Sequence, residues 1–145
     1  MNVRGVNVKI MIVDDSTQIR TVIKRYVSSH KSFNGQCEIL TANNGEQALK
    51  TLQQEHLSSP VDIIFLDWHM PLMDGKTFLQ SVRSTEVFSL QPEVVMLSAE
   101  TYPEMIEQCL KLGISSYLTK PFTEEDIHLA IDKILSKKTE VRHAV

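Results

Sequence analysis

The sequence predicts a doubly wound α/β domain, a five-stranded parallel sheet with helices on both faces. Three observations carry that expectation. Strand-like and helix-like segments alternate five times along the 145 residues. The first, third and fourth strand segments are near-continuous apolar runs, as strands covered on both faces require. Four of the five runs also end in a polar residue, at the edge where open parallel sheets bind their ligands.

The strands are expected over 8–13, 37–42, 61–66, 93–97 and 116–119, and the helices between them follow the 3.6-residue period. The first helix, about 16–29, places Ile19, Val22, Ile23, Tyr26 and Val27 on one face. Asp15 or Ser16 can cap it. The second, about 44–55, opens with Asn44 and Gln47 in capping-box spacing and buries Ala48, Leu49 and Leu52. The third, about 75–84, offers Phe78, Leu79 and Val82, and follows the turn pair Asp74-Gly75. The fourth, about 102–112, has Pro103 in its first turn and stops at Gly113. The fifth, about 124–138, is capped by Thr123 and buries Ile127, Ala130, Ile131, Ile134 and Leu135. Its early Glu124, Glu125 and Asp126 and its late Lys133, Lys137 and Lys138 match a helix dipole, the lysines forming a solvated end.

Composition narrows the function classes. Hydrophobic residues make up 42% and charged residues 23% of the chain, ordinary values for a globular protein. A net charge of −3 gives no basic field for bulk nucleic-acid binding. No apolar run approaches the ~18 residues needed to cross a bilayer, and residues 1–5 reach a strand too soon for a signal peptide. Cys37 and Cys109 form no C-x-x-C pattern, so a reducing cytoplasm is expected. The histidines at 30, 56, 69, 128 and 143 never fall three or four residues apart, which argues against a helical zinc site.

The strand ends carry the chemistry. The first apolar run leads into Asp14-Asp15, the third into Asp67, the fourth into Ser98 and the fifth into Lys120-Pro121. In neighbouring parallel strands these ends bring three carboxylates, a hydroxyl and an ammonium into one crevice. Clustered carboxylates repel unless a cation intervenes, and a hard cation such as Mg²⁺ suits an all-oxygen set. A carboxylate at Asp67 can act as a nucleophile toward phosphorus, and Lys120 can neutralise charge on the transferring phosphoryl group. Lys120-Pro121 is also a candidate cis peptide.

On Val13-Asp14-Asp15-Ser16, Leu66-Asp67-x-x-Met70-Pro71-x-Met73-Asp74-Gly75, Leu97-Ser98-Ala99 and Thr119-Lys120-Pro121-Phe122, the chain resembles the receiver domain of two-component response regulators. It is close to the stand-alone chemotaxis type, and the likeness runs from about Lys9 to Lys137. The resemblance implies a flavodoxin-like sheet of order 2-1-3-4-5 in a receiver domain of residues 1–138, with 139–145 a short tail. It implies that Asp67 is the phosphoacceptor, with Mg²⁺ (or Mn²⁺) bound by Asp15, Asp67, Asp14 through water, and the backbone carbonyl of His69. Ser98 becomes the switch hydroxyl, Lys120 the phosphoryl-contacting lysine, and Tyr117 the aromatic that turns inward. The side chains of His69 and Glu100 tune how fast the phosphoryl group is lost. Trp68 is open between a partner-contact aromatic and a lid, and Met70 and Met73 are packing residues.

The implied partners are a sensor histidine kinase or histidine phosphotransfer protein and a downstream protein target, with no direct contact to nucleic acid or membrane. The chain is then no enzyme beyond its own phosphorylation and dephosphorylation. Its switched surface is the face of the fourth helix, fifth strand and fifth helix. Competing readings are a receiver-shaped binding module that is never phosphorylated, and a fragment of a larger regulator. An aspartate-nucleophile phosphatase wants a second aspartate two residues after the nucleophile, where this chain has His69.

Overall fold

A computed structural model describes residues 8–85 and 92–144, with side chains as far as residue 137. The strands are β1 (Lys9–Val13), β2 (Glu38–Ala42), β3 (Ile63–Asp67), β4 (Glu93–Ser98) and β5 (Ser116–Thr119). They alternate with α1 (Thr17–Ser28), α2 (Gly45–His56), α3 (Gly75–Ser84), α4 (Pro103–Lys111) and α5 (Glu124–Ala144). All strand pairs are parallel, in the order β2-β1-β3-β4-β5. The expected fold class and strand order are what the molecule adopts.

Strand alternation explains why three strands read as unbroken apolar runs. Met11, Val13, Ile64, Leu66, Val94 and Met96 face one core with Ala48, Leu52, Phe78, Leu79, Val82 and Cys109 from α2, α3 and α4. The intervening Ile10, Ile12, Ile63, Phe65, Val95 and Leu97 face a second core with Ile23 and Val27 of α1 and Ile127, Ala130, Ile131 and Ile134 of α5. Each fully buried aliphatic side chain is worth about 1.5–3 kcal/mol, so both cores hold the register firmly.

Boundaries moved where backbone pairing overrode pattern. β3 begins two residues later than expected and takes in Asp67, although the Asp62 backbone already bonds to both neighbours, its amide donating to the Lys9 carbonyl at 2.8 Å and its carbonyl accepting from the Glu93 amide at 2.9 Å. Ser16, rather than Asp15, caps α1, its hydroxyl accepting from the Ile19 amide at 3.2 Å. In the α2 cap, Asn44 accepts from the Gln47 amide at 2.8 Å. The return bond to Gln47 comes from the Asn43 amide at 2.7 Å, one residue earlier than a capping box places it. Helix α5 runs on to Ala144, through the segment expected to be a tail. Lys133 and Lys137 therefore do not close the helix. Lys133 Nζ donates to the Ser115 carbonyl at 2.7 Å, and Lys137 Nζ lies 3.6 Å from a Glu93 carboxylate oxygen. The Lys138 side chain lies outside the described residues, as does most of the 84–92 loop. Among the described residues no helix is long and apolar enough to cross a membrane.

Candidate functional site

The ends of β1, β3, β4 and β5 converge as their sequences anticipated. Parallel pairing continues just beyond the strands, with the Asp14 amide donating to Ala42, that of Trp68 to Leu97 and that of Lys120 to Ser98. This fixes the polar residues at one height along the sheet edge. Asp14, Asp15 and Asp67 each present a carboxylate oxygen within 4.8 Å of the others. Asp14 is fully buried and Asp67 is 3% exposed, whereas Asp15 faces solvent.

Asp14 has two roles. One oxygen accepts from the Ser16 amide at 2.8 Å, and the other accepts from Lys120 Nζ at 3.0 Å. Lys120 also donates to Asp67 at 3.1 Å. Since β5 pairs with β4, this side chain crosses over the end of β4 to reach carboxylates on the β3 and β1 ends. The Lys120–Pro121 peptide is cis.

Burial, and then the charge of Asp14, pushes the Asp67 carboxyl up from 3.8 to about 6, against the opposing pull of Lys120 and the His69 amide. For Lys120, burial acts to lower the pKa. The hydrogen bond and charges of Asp14 and Asp67 outweigh it and raise the pKa on balance. One ammonium therefore does not fully offset the acidic cluster. Its chemistry, hard oxygen donors with a surplus of negative charge, fits an oxygen-preferring divalent cation.

Ser98 is fully buried, and its hydroxyl accepts from the Glu100 amide at 3.0 Å. The Tyr117 hydroxyl donates to the Glu100 carbonyl at 2.8 Å, so both residues bind one backbone unit of the β4–α4 loop. Burial pushes the Tyr117 phenol up from its usual value. The His69 and Glu100 side chains meet, with Nε2 and Oε1 2.6 Å apart. Trp68 is 8% exposed and packs in the core that faces α2, α3 and α4. It is neither an exposed partner-contact aromatic nor a lid. Met70 and Met73 pack against the same core.

Two positioning contacts had not been anticipated. Arg20 Nη1 donates to the Asp14 carbonyl at 2.6 Å, pinning the loop between the adjacent aspartates and α1. A cation one turn into the helix that follows paired aspartates was the available signal. The Gly45 amide donates to the Met73 carbonyl at 3.1 Å, which seats the start of α2 against the β3–α3 loop. A Cβ at Gly45 would lie 2.5 Å from that oxygen, and one at Gly75 would collide with the Asp67 carbonyl. Neither closeness leaves a trace in local sequence.

The structure is thus a doubly wound domain with an acidic, lysine-bridged crevice at the carboxyl edge of its central strands. The sequence profile described as response regulator receiver domain matches residues 10–132. The chemotaxis protein CheY-3 of Vibrio cholerae is 33% identical over 131 residues, covering 90% of this chain and 94% of its own length. Among solved structures, the chemotaxis response regulator CheY4 of Vibrio cholerae matches with a TM-score of 0.72 at 28% identity, over 88% of this chain and 98% of that one. CheY in the CheX-CheY-BeF3-Mg²⁺ complex of Borrelia burgdorferi matches at 0.75 and 25% identity, over 88% and 89%. The chain belongs to the response regulator receiver family. Proteins of this family are signalling proteins rather than conventional enzymes.

Proposed function

We propose that this receiver accepts a phosphoryl group on Asp67 in the cytoplasm, from a histidine kinase or histidine phosphotransfer protein, and relays the event to a protein target. The observation that carries the reading is the bridging of Asp14 and Asp67 by Lys120 within a cluster of three carboxylates. Asp14, Asp15, Asp67 and the His69 carbonyl would hold Mg²⁺, or Mn²⁺ in its place. Bound there, the cation would offset negative charge on the phosphoryl oxygens. An Asp67 carboxylate oxygen forms a bond to phosphorus as the donor's N–P bond breaks, and the imidazole leaves with the bonding pair. Lys120 keeps one donor near the transferring oxygens, where fixed positive charge lowers the barrier.

Phosphorylation then biases a two-state switch. The Ser98 hydroxyl, which accepts from the Glu100 amide, turns to donate to the phosphoryl group. Tyr117, tied to the carbonyl of the same residue, follows that loop. The surface of α4, β5 and α5 changes with it. His69 and Glu100, paired over the loops, set how readily water reaches the acyl phosphate.

Intact-protein mass after incubation with acetyl phosphate tests the reading. The expected result is a Mg²⁺-dependent gain of one phosphoryl group that Asp67→Asn abolishes. Ser98→Ala should retain the gain yet lose the accompanying change at Tyr117, read by its fluorescence or NMR signal. Labelling of Asp67→Asn at the wild-type level would overturn the acceptor.

A further inference from the structure

Two large apolar side chains stand exposed on the loops beside the acidic crevice, and both occupy positions where a small polar residue would serve the fold better. Leu72 is 77% exposed at φ +68°, the left-handed region that Asn and Gly tolerate and a bulky aliphatic residue does not favour. Tyr102 is 60% exposed at the N-cap of α4 and makes no side-chain cap bond. Ser16, Asn44 and Asp74 each accept a bond from the first turn of their helix, and Thr123 accepts one from the Asp126 amide. Ser, Thr, Asp and Asn are the preferred residues at this position, and tyrosine supplies nothing there. Exposed residues that break a local rule without a packing gain point to function.

Their placement indicates which function. The loops begin from adjacent strands, with Asp67 opposite Leu97 in the β3–β4 register, and they touch through His69 and Glu100. Asp67 itself is only 3% exposed. A protein that brings a phosphorylated side chain to its carboxylate approaches over the loops that follow the strand ends, and these are two of them. Among the described residues, the other large exposed apolar side chains, Leu57, Leu110 and Leu129, sit on or at the ends of helices, not on these loops.

We propose that Leu72 and Tyr102 are a two-point apolar clasp for the phosphodonor protein, which presents a matching apolar surface around its phosphohistidine. The proposal rests on Asp67 being the acceptor. A small acyl phosphate needs no such surface, so the clasp separates protein donors from chemical ones.

The test is the double variant Leu72→Asn, Tyr102→Ser, each change supplying the residue the backbone favours. Its melting temperature should equal or exceed that of wild type, which removes misfolding as an explanation. With acetyl phosphate the two proteins should be labelled at rates within about twofold. With a ³²P-charged histidine phosphotransfer domain that labels wild type, the variant should be labelled at least tenfold more slowly. Equal rates from the protein donor would overturn the clasp and turn attention to a downstream target at these residues. Equal losses with both donors would also overturn it, showing that the loops had been distorted. If neither donor labels wild type, the acceptor reading falls and the clasp with it.

Discussion

The acidic crevice should make the metal-free protein less stable than its sequence allows, and Asp67→Asn should recover that stability. A carboxyl held at about 6 instead of 3.8 favours its proton in the folded state. Ionising it there costs roughly 3 kcal/mol more than in the unfolded chain. Because the folded pKa is the higher one, the favourable contribution is complete below about pH 4 and is lost as pH rises through 6. Asn carries no charge and skips that loss. In urea titrations with a chelator at pH 7.5, Asp67→Asn should therefore be more stable than wild type by about 2–3 kcal/mol. The gap should close as pH falls toward 4. Millimolar Mg²⁺ should stabilise wild type selectively and narrow it, since a ligand that binds only the native state raises stability by mass action. An Asn variant equal to or weaker than wild type at pH 7.5 without divalent ions would refute the reasoning. So would a gap that does not depend on pH.

Two further predictions concern the supports of the site. Gly45→Ala places a methyl 2.5 Å from the Met73 carbonyl. It should cost about 1–3 kcal/mol in urea unfolding and slow labelling by acetyl phosphate several-fold by displacing the β3–α3 loop. An unaltered labelling rate would show that α2 does not position that loop. Arg83 donates to the carbonyls of Leu112 at 2.9 Å, Pro92 at 3.1 Å and Gly113 at 3.2 Å, tying the end of α3 to the end of α4 and the start of β4. Arg83→Ala should lower stability by about 2 kcal/mol without changing Mg²⁺ affinity, and a loss under about 0.5 kcal/mol would count against the tie.

The residues that were legible in sequence are those whose position a strand end dictates. Asp14, Asp67, Ser98 and Lys120 each follow an apolar run, and parallel pairing brings those run ends together without further information. What escaped depends on how loops fold over that edge. The meeting of His69 with Glu100 spans two loops, and the Arg20 bond to a backbone oxygen has no sequence partner to covary with. The positive φ of Leu72 runs against what leucine suggests, so no propensity could have found it. Trp68 read only as a partner-contact aromatic or a lid, and the core role escaped because it depends on packing against α2, α3 and α4. The C-terminal end of α5 was lost for a different cause. The apolar stripe read from its sequence stops at Leu135, while the helical backbone continues to Ala144.

Formal charge at the crevice links the proposed ion to the proposed phosphorylation. Three carboxylates and one ammonium sum to −2, which a divalent cation cancels. Converting Asp67 to its acyl phosphate exchanges a charge of −1 for −2, so the same set becomes −3 without the ion and −1 with it. The phosphorylated crevice should therefore hold a divalent cation more tightly than the unmodified one. By reciprocity the cation must favour the phosphorylated form by the same factor. The concentration of the divalent cation would then help set the equilibrium share of the phosphorylated state, separately from any kinase or target.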